Sequence, residues 1–395
     1  MKVKITSMDH KGNGIAKLDN KVIFVPKSIP DDYVDIDIYR DYKNYSIGRI
    51  NKITKKSDSR VDLICPYYDM CGGCNISNLS YAEQLLFKEN KVKNIFKKYL
   101  DLDINPKVIG SKMKYGYRNK ITYHKDDILG LIGEFGGIID IDKCYLVSDK
   151  VNELYQEIKK LDISLVKLIT IRECDNGLIL IVVGKLDINS LKDLCISIIM
   201  NDKIVYQKED GYIHVGELKY KVSPKAFFQI NTSNISNLYD EIIRYGKFTK
   251  NDSLIDLYSG VGSISLYVAK YVKNVLGIEI IPEAIDDAWE NAKINNIDNA
   301  KFICGDVNKL IDDNVKCDVL IVDPPRVGLD KHTVEVINDS KIKKVIYVSC
   351  DTMTLVRDIK LLDNYELNDI SVIDMFPETH HVESICLLGR MENNE

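Results

Sequence analysis

The chain has 395 residues, of which 45% are hydrophobic, and a formal net charge of -5 at pH 7. This length is enough for two or three domains with sizeable cores, and no apolar stretch reaches the roughly 18 to 20 residues that a membrane helix needs. The first residues lead into a strand pattern rather than a signal-peptide core, and the ten cysteines suit metal ligation or catalysis in a reducing compartment. We therefore expect a cytoplasmic protein with no membrane segment, and the sequence indicates no obligatory protein partner.

The charges are unevenly distributed along the chain. Residues 1–125 contain 24 Lys and Arg against 14 Asp and Glu, whereas the remaining residues contain 30 against 45. Cations alternate with tyrosines in Tyr39–Tyr45 and in Lys114–Lys120, a mixture that can contact phosphates and stack on bases. Either stretch alone would equally fit solvated lysines on edge strands. Together with the charge excess, they indicate that a nucleic acid would bind to the amino-terminal third.

Residues 1–55 alternate apolar and polar positions in short runs that are separated by turn signals such as Gly12–Gly14. This pattern predicts a small antiparallel barrel of the OB type, and we assign residues 1–57 to it. Barrels of this type often bind single-stranded nucleic acid. The segment Thr54–Arg60, which is rich in Lys and Ser, is expected to be a linker.

Three cysteines, Cys65, Cys71 and Cys74, lie within ten residues of one another. Three such ligands need a fourth from elsewhere to complete a tetrahedral or cuboidal site, and Cys144 is the best remaining candidate. A zinc ribbon would show two separated Cys-x-x-Cys knuckles, whereas this chain has one. Cysteines this crowded are rarely all unligated.

The rest of the chain divides into a central region and a C-terminal α/β domain. Apolar residues at helical spacing predict an amphipathic helix over Ser80–Tyr99, capped by Ser80 and Glu83, and residues 58–240 read as an α+β region that contains the cysteines. Residues 241–395 are expected to form a doubly wound, Rossmann-like domain, because helical patterns alternate with strand-like runs at 253–257, 275–280, 301–304, 318–322 and 344–348.

A glycine-rich turn follows the first of these strands, in Leu254–Gly262, and we include Asp256 and Gly260 in a cofactor site. The next strand ends near Glu279, about twenty residues on, where an acid can bind both ribose hydroxyls. Asp306 follows the third strand and could meet an adenine amino group. The third glycine of the dinucleotide fingerprint and a Walker lysine are both missing. The pattern therefore indicates S-adenosylmethionine rather than NAD or ATP.

Two later motifs indicate the chemistry. Asp323–Arg326 resembles the Asp-Pro-Pro-Tyr motif of amino-methyltransferases, but an arginine stands where the aromatic residue would be. Cys350 follows a buried strand run, and its thiolate could add to carbon 6 of a uracil, making carbon 5 nucleophilic towards a methyl donor. A base must then remove the carbon 5 proton, and His380, His381 and Glu383 are candidates. We expect His380 to lie on a loop surface.

Beyond these motifs, the chain resembles the RNA uracil-5 methyltransferase family over nearly its whole length. The segment around Cys350, with Thr354–Leu355 after it, is similar to the family's nucleophile motif, and Asp374–Pro377 followed by His381–Glu383 resembles its general-base motif. The resemblance implies that Cys350 is the nucleophile and Glu383 the base. Family members commonly have Asn-Pro directly after the nucleophile, whereas this chain has an aspartate and a threonine, and the added charge should make the thiolate harder to form.

The same resemblance implies further site residues and cofactors. Phe227–Asn231 is similar to the family's Phe-Phe-Gln-x-Asn element, which implies that Gln229 lies in the active site, and Tyr258, Glu279 and Asp323 are implied as cofactor-site positions. The cysteine spacing resembles that of the family's iron-sulfur subset. It implies a [4Fe-4S] cluster and, over residues 1–55, a TRAM-type barrel.

The sequence therefore predicts S-adenosylmethionine-dependent methylation of carbon 5 of a uridine in RNA, with 23S ribosomal RNA favoured over transfer RNA. Two rival functions stay open. One is RNA N-methylation through Asp323–Pro325, for which Cys350 would be dispensable. The other is a noncatalytic RNA-binding or iron-sulfur scaffold, for which an intact cofactor turn would have no use.

Overall fold

The computed structural model describes residues 1–224, 226–312 and 315–391. The first 55 residues form one sheet of six strands, whose alternate apolar side chains, including Ile5, Val25 and Ile36, are buried in a common core. The strands are β1 Lys2–Lys4, β2 Ser7–Met8, β3 Gly14–Leu18, β4 Lys21–Val25, β5 Tyr33–Asp41 and β6 Tyr45–Lys55. They are ordered β1-β5-β6-β4-β3-β2. The strand-rich region predicted from the period-2 pattern is confirmed. The pairing is not antiparallel throughout, as was predicted, because β4 and β6 are parallel.

Thr54–Arg60 was expected to be a linker, but its first two residues belong to β6 and its last residue is fixed to the first sheet. The Arg60 guanidinium contacts the Asp32 carboxylate at 2.7 Å, and both side chains are almost fully buried. It also donates to the Lys27 carbonyl oxygen at 2.8 Å. A buried ion pair with several hydrogen bonds fixes the position of the chain where it leaves the first sheet. The composition of the segment, small and charged residues, did not predict this contact.

Helix α1, Tyr81–Leu100, begins with the predicted capping box. The Ser80 hydroxyl accepts from the Glu83 amide, and the Glu83 carboxylate accepts from the Ser80 amide at 3.1 Å, so two amides at the helix start are satisfied. The buried face of the helix includes Val92 and Phe96 together with the polar Lys88. The predicted helix is confirmed to within one residue at its start.

A second sheet occupies the middle of the chain. Its seven strands are β8 Lys120–Lys125, β9 Leu129–Ile132, β10 Ile138–Ile139, β11 Val166–Cys174, β12 Gly177–Gly184, β13 Cys195–Met200 and β14 Lys203–Gln207. They are ordered β10-β9-β8-β11-β12-β13-β14, and helix α2, Asp149–Lys159, shares a core with them. A hairpin of β15 Tyr212–Val215 and β16 Leu218–Lys221 follows.

The third sheet forms the C-terminal domain and is mostly parallel. Its strands are β17 Ser253–Leu257, β18 Asn274–Glu279, β19 Ala300–Cys304, β20 Val319–Val322, β21 Lys344–Ser349, β22 Tyr365–Ile373 and β23 Glu383–Arg390. An additional strand, β7 Lys107–Ile109, pairs in parallel with β22 at the edge. The order is β19-β18-β17-β20-β21-β23-β22-β7. Strands β17 to β21 are parallel, and β23 runs antiparallel to β21.

Helices cover both faces of this sheet. They are α3 Thr232–Gly246, α4 Ser263–Ala269, α5 Pro282–Ile294, α6 Val307–Leu310, α7 Lys331–Asp339 and α8 Thr352–Leu361. Side chains of α3, α4 and α5 share one core with the sheet, while α1, α7 and α8 share a core on its other face. Successive residues of β21 point alternately into the two cores, as Val345 and Ile346 do. The predicted α/β fold is thus confirmed, with α1 and β7 joining it from the earlier part of the chain.

A buried ion pair ties α1 to this domain. Lys88 and Asp374 are both fully buried, and the Lys88 ammonium lies 2.5 Å from the Asp374 carboxylate. The same ammonium donates to the Phe376 carbonyl oxygen at 2.9 Å, and the Tyr81 hydroxyl donates to the other Asp374 oxygen at 2.9 Å. Because Asp374 follows β22 directly, the pair holds the start of the loop that leads to β23.

None of the helices in the described residues is long and apolar enough to cross a membrane.

Replacing Lys88 by Met should lower the free energy of unfolding by about 3–5 kcal/mol, because the buried Asp374 carboxylate would lose its partner. Urea denaturation followed by circular dichroism measures this. The matched control is Lys97→Met on the same helix, whose ion pair with Asp101 is exposed and whose loss should cost less than about 1 kcal/mol. Equal losses in the two variants would contradict a stabilising role for the buried pair.

Candidate active site

The pairing of β21 with β23 brings Cys350 and Glu383 together. Ser349, the last residue of β21, lies opposite Ser384 in the antiparallel register, so Cys350 and Glu383 are the next pair along the two strands. This pair lies at the carboxyl end of the parallel strands, the edge at which open α/β sheets bind ligands. Glu383 is buried and Cys350 is half-buried.

The charges around Cys350 have opposing effects on its thiol. Burial and the neighbouring Glu383 carboxylate raise the pKa of Cys350 to about 12, while the Arg326 guanidinium, which is in hydrogen-bonding range, lowers it. Arg326 is thus the positive charge available to stabilise a thiolate here. From the sequence, Arg326 was interpreted only as a departure from an aromatic motif. Its position just after Asp323 and the end of β20 was the signal that could have identified it as a site residue.

The carboxylate of Asp351 has a local structural use. One of its oxygens accepts the amides of Met353 and Thr354 at 2.9 and 3.0 Å, which caps the start of α8. The dominant influences on the Cys350 pKa are its burial and the charges of Glu383, Arg326 and Asp323. The Asp351 charge, which was expected to make the thiolate harder to form, is not among these largest influences.

Three buried or half-buried acids lie side by side at this edge of the sheet. Burial raises the pKa of Asp256 to about 7, and burial together with Asp256 raises the pKa of Asp323 to about 7. Burial and the Asp323 charge raise the pKa of Glu383 as well. Ser265 donates to one Asp256 oxygen at 2.5 Å, whereas the other oxygen has no partner among the described residues. The edge therefore favours a cationic ligand, which would offset the repulsion.

The turn after β17 has the backbone that a ligand cradle needs. Tyr258, Gly260 and Gly262 all have positive φ, at 65°, 54° and 76°. A Cβ on Gly260 would meet open space, while one on Gly262 would lie 2.7 Å from the Phe302 ring. Gly260 therefore faces the site, and Gly262 allows α4 to pack closely on the sheet.

The other residues predicted for the cofactor lie around this turn. The Glu279 carboxylate accepts the Gly260 amide at 3.1 Å and the Ile281 amide at 2.9 Å, which fixes its orientation. Asp306 caps α6 by accepting the Asn308 amide. Its charge also lies near the Tyr258 hydroxyl, whose pKa is raised to about 12, mainly by burial.

Gln229 lies in the segment between β16 and α3 and is buried. Its carbonyl oxygen accepts from the Asn119 side chain at 3.0 Å. Two residues later, the Asn231 amide group donates to the Met375 carbonyl oxygen at 3.2 Å. The structure thus places this segment against the loop that leads to Glu383.

His380 is not on an open surface, contrary to the expectation from the sequence. It is half-buried, and its Nδ1 lies 2.7 Å from the Asn75 side-chain oxygen. Its ring is 4.2 Å from that of His381, centroid to centroid. The cysteine segment, more than 300 positions earlier in the chain, packs against this loop. A local sequence pattern cannot predict a contact of this kind.

The four predicted cluster cysteines line one cavity of about 690 Å³. Their thiols are close enough to affect one another: after burial, the charges of Cys144 and Cys71 contribute to the raised pKa of Cys74. The Cys71 sulfur also accepts the Gly73 amide at 3.4 Å. In the described residues, no group of three or more His, Cys, Asp or Glu side chains is arranged to hold a single metal ion.

A lysine that follows β4, which the sequence did not single out, holds the cysteine segment. The Lys27 ammonium is buried, donates to the carbonyl oxygens of Cys71 and Cys74 and lies 3.0 Å from the Glu134 carboxylate. On the opposite side, the Glu378 carbonyl oxygen accepts the amides of Asn75 and Ile76. The cysteine segment is therefore held between the N-terminal barrel and the loop that leads to Glu383.

Comparison with known proteins places this chain among RNA-modifying enzymes. Residues 191–391 match the family model described as tRNA (uracil-5-)-methyltransferase, and residues 1–50 match the TRAM domain. A protein of Caldanaerobacter subterraneus described as an RNA methyltransferase is 34% identical, with 98% of both chains covered. One of Clostridium acetobutylicum is 33% identical over 99% of this chain and 97% of its own.

A solved structure has the same architecture over almost the whole chain. It is the Pyrococcus abyssi tRNA (uracil-54, C5)-methyltransferase in complex with S-adenosyl-L-homocysteine. It superposes with a TM-score of 0.81 at 26% sequence identity, covering 98% of this chain and 100% of its own.

The Arg326 charge should be visible in the reactivity of Cys350. Because the pKa of this thiol is raised, its alkylation by iodoacetamide should be slow at pH 7 and should rise up to pH 10. Replacing Arg326 by Gln removes the neighbouring cation, so the pH profile should move to higher pH, whereas Arg326→Lys should move it less. Peptide-resolved mass spectrometry gives the rates. The exposed Lys331 provides the control, Lys331→Gln, and an unchanged profile in Arg326→Gln would contradict this electrostatic role.

Proposed function

We propose, from the premise that this chain belongs to the tRNA (uracil-5-)-methyltransferase family, that it methylates carbon 5 of a specific uridine in RNA through a covalent Cys350 adduct. The chain is an RNA methyltransferase with the S-adenosylmethionine-dependent α/β fold. The observation that supports the finer proposal is the cross-strand pair of Cys350 and Glu383 at the edge of the sheet. A nucleophile and a base are then side by side where the methyl donor would be held.

The proposed reaction begins at the Cys350 sulfur. Its thiolate adds to carbon 6 of the uracil, and the electron pair of the carbon 5–carbon 6 double bond moves onto the ring as an enolate. Carbon 5 then takes the methyl group, for which S-adenosylmethionine would supply an electrophilic carbon and leave as S-adenosylhomocysteine when its sulfur–methyl bond breaks. Glu383 removes the proton from carbon 5, and the returning electron pair expels the thiolate from carbon 6. The raised pKa of Glu383 makes its carboxylate a stronger base for this step.

We propose that the acids of the site hold the methyl donor. Glu279 is oriented towards the turn and would bind the ribose hydroxyls, and Asp306 would contact the adenine amino group. Asp256 and Asp323 would face the positively charged parts of the donor, because their mutual repulsion is relieved by a cation. Gly260, which leaves room for a ligand at its Cα, would also line the donor site, together with Tyr258 and Gln229.

We propose that RNA binds across the barrel and the edge of the C-terminal sheet. Several tyrosines of the barrel are exposed, and Tyr42 and Tyr45 are stacked at 4.7 Å, which suits contact with unpaired bases. The target uridine would have to lie in a loop or be flipped, because carbon 6 is inaccessible in a stacked helix. We take 23S ribosomal RNA as the first substrate to test, with transfer RNA as the alternative that the Pyrococcus enzyme represents.

We also propose that Cys65, Cys71, Cys74 and Cys144 hold a [4Fe-4S] cluster. Two observations support this proposal: the four cysteines line one cavity, and the Gly73 amide donates to the Cys71 sulfur. Hydrogen bonds to the sulfur atoms are a usual feature of such clusters. Its role would be structural, because the cysteine segment contacts both the barrel and the loop before Glu383.

The reaction can be tested by incubating the protein and S-adenosylmethionine with unmodified ribosomal and transfer RNA, followed by nucleoside mass spectrometry. We expect 5-methyluridine as the product in one of the two RNA classes. Methyl on an exocyclic nitrogen would instead favour N-methylation through Asp323–Pro325, and methylation of neither RNA would refute the proposed substrates.

Two active-site variants separate the steps. Cys350→Ala should abolish turnover but bind S-adenosylhomocysteine as the unmodified protein does. Glu383→Gln should accumulate a methylated protein–RNA adduct, because the proton then stays on carbon 5 and the thiol cannot leave. Denaturing gels detect the adduct, and Cys350→Ala/Glu383→Gln is the matched control that should form none. Turnover by Cys350→Ala would contradict its role as nucleophile.

Replacing Cys74 by Ser should remove the iron and acid-labile sulfide that we expect at about four atoms each per chain. Protein purified without oxygen is analysed for both elements. Cys304, which is exposed and outside the cavity, gives the control Cys304→Ser, which should keep them. Full iron and sulfide content in Cys74→Ser would contradict the assigned ligand set.

A further inference from the structure

A group of basic side chains lies near Cys350. Arg326 acts on the pKa of the Cys350 thiol, and the other members have no role in the reaction steps described above. The five residues are His10, Lys91, Arg326, His380 and His381, and we call them the basic corner. They come from four separate segments: the turn after β2, helix α1, the loop after β20 and the loop before β23. Their meeting is therefore a product of the tertiary fold.

Contacts between these segments hold the basic corner in place. The Lys91 ammonium donates to the His380 carbonyl oxygen at 2.8 Å. The barrel turn packs on the cysteine segment so closely that a Cβ on Gly12 would lie 2.7 Å from an Ile76 methyl carbon. The neighbouring Asn75 bonds the His380 ring. The basic corner is thus built on a rigid support rather than on free surface lysines.

Lys91 has no ion-pair partner among the described residues. Lys88, one turn earlier on α1, is neutralised by Asp374. The acids near Lys91 are Asp351 and Asp9, and their carboxylates already accept backbone amides of α8 and of the turn after β2. Arg326 also forms no ion pair among the described residues, and the acids nearest to its charge are those of the active site, Glu383 and Asp323.

The neighbouring basic groups affect one another's pKa. Burial and then Lys88 lower the pKa of Lys91 to about 8, while burial and then Arg326 lower the pKa of His381 to about 4. Burial and then His381 lower the pKa of His380 to about 3. Both histidine rings are therefore neutral at pH 7, and the positive charge of the corner is that of Lys91 and Arg326. An anion bound beside them would favour the charged form of Lys91.

We propose that the basic corner is a phosphate-binding subsite, in which Lys91 and Arg326 hold a phosphodiester of the RNA strand next to the target uridine. This inference rests on the proposed function and names where the RNA backbone passes. The Arg326 charge acts on both the Cys350 thiol and the His381 ring, so a nucleotide whose base reaches Cys350 would have its own phosphates near this corner. Backbone contacts of this kind position a nucleic acid without reading its sequence.

The experiment measures binding of a fluorescein-labelled twelve-nucleotide oligouridine to the full-length protein by anisotropy, over a range of KCl concentrations. Lys91→Met should weaken binding roughly fivefold at low salt and reduce the slope of log K against log salt by about 0.7, the value for one lost contact with a single strand. Lys98→Met, an exposed lysine of the same helix, is the control and should change neither. Lys91→Arg should retain most of the binding.

Calorimetry with S-adenosylhomocysteine shows that each variant is folded, since this binding should be unchanged in all of them. Equal affinities and slopes for Lys91→Met and Lys98→Met would overturn the subsite. So would a loss in Lys91→Arg as large as in Lys91→Met, because packing would then be the cause, and so would a failure of the unmodified protein to bind oligouridine. A protein that binds oligouridine through Lys91 but forms no 5-methyluridine would support the subsite while refuting the proposed reaction.

Discussion

The antiparallel pairing of β21 with β23 is the constraint on which the site depends. Parallel strands deliver Asp256, Glu279 and Asp323 to one edge of the sheet, since their carboxyl ends all meet there. By reversing direction, β23 starts where β21 ends, and Glu383 comes to lie beside Cys350. The chemistry we propose therefore follows from the topology of the last two strands.

The loop that leads into β23 is held from the earlier part of the chain. Lys88 of α1 binds its first residue, Asn231 and Gln84 bind its middle, and the cysteine segment binds Glu378 and His380. In turn, the barrel holds the cysteine segment through Lys27. A continuous set of contacts thus runs from the N-terminal sheet to the loop before Glu383.

Sequence patterns predicted the regular parts of this structure because those parts depend on local periodicity. The capped helix α1 and the five parallel strands lie within a residue or so of their predicted positions, and the glycine turn has the positive φ angles its residues suggested. The contacts that the sequence did not predict are long-range. Lys27, Lys88 and His380 look like surface residues in their local context. Lys27 and Lys88 are buried and His380 is half-buried, and their partners are 44 to 305 positions away. Residue roles such as those of Cys350 and Glu383 came from motif resemblance, and the structure supports them with geometry.

The central claim is that the methyl group replaces the hydrogen on carbon 5 of uridine. The most direct measurement is tritium release from ribosomal and transfer RNA transcripts that contain [5-³H]uridine, counted alongside methyl transfer from S-adenosylmethionine. If the proposed reaction is correct, one tritium enters the solvent for each methyl group transferred, because the base removes the carbon 5 proton in every turnover. Methyl transfer that leaves all tritium on the RNA would place the methyl group elsewhere and contradict the account.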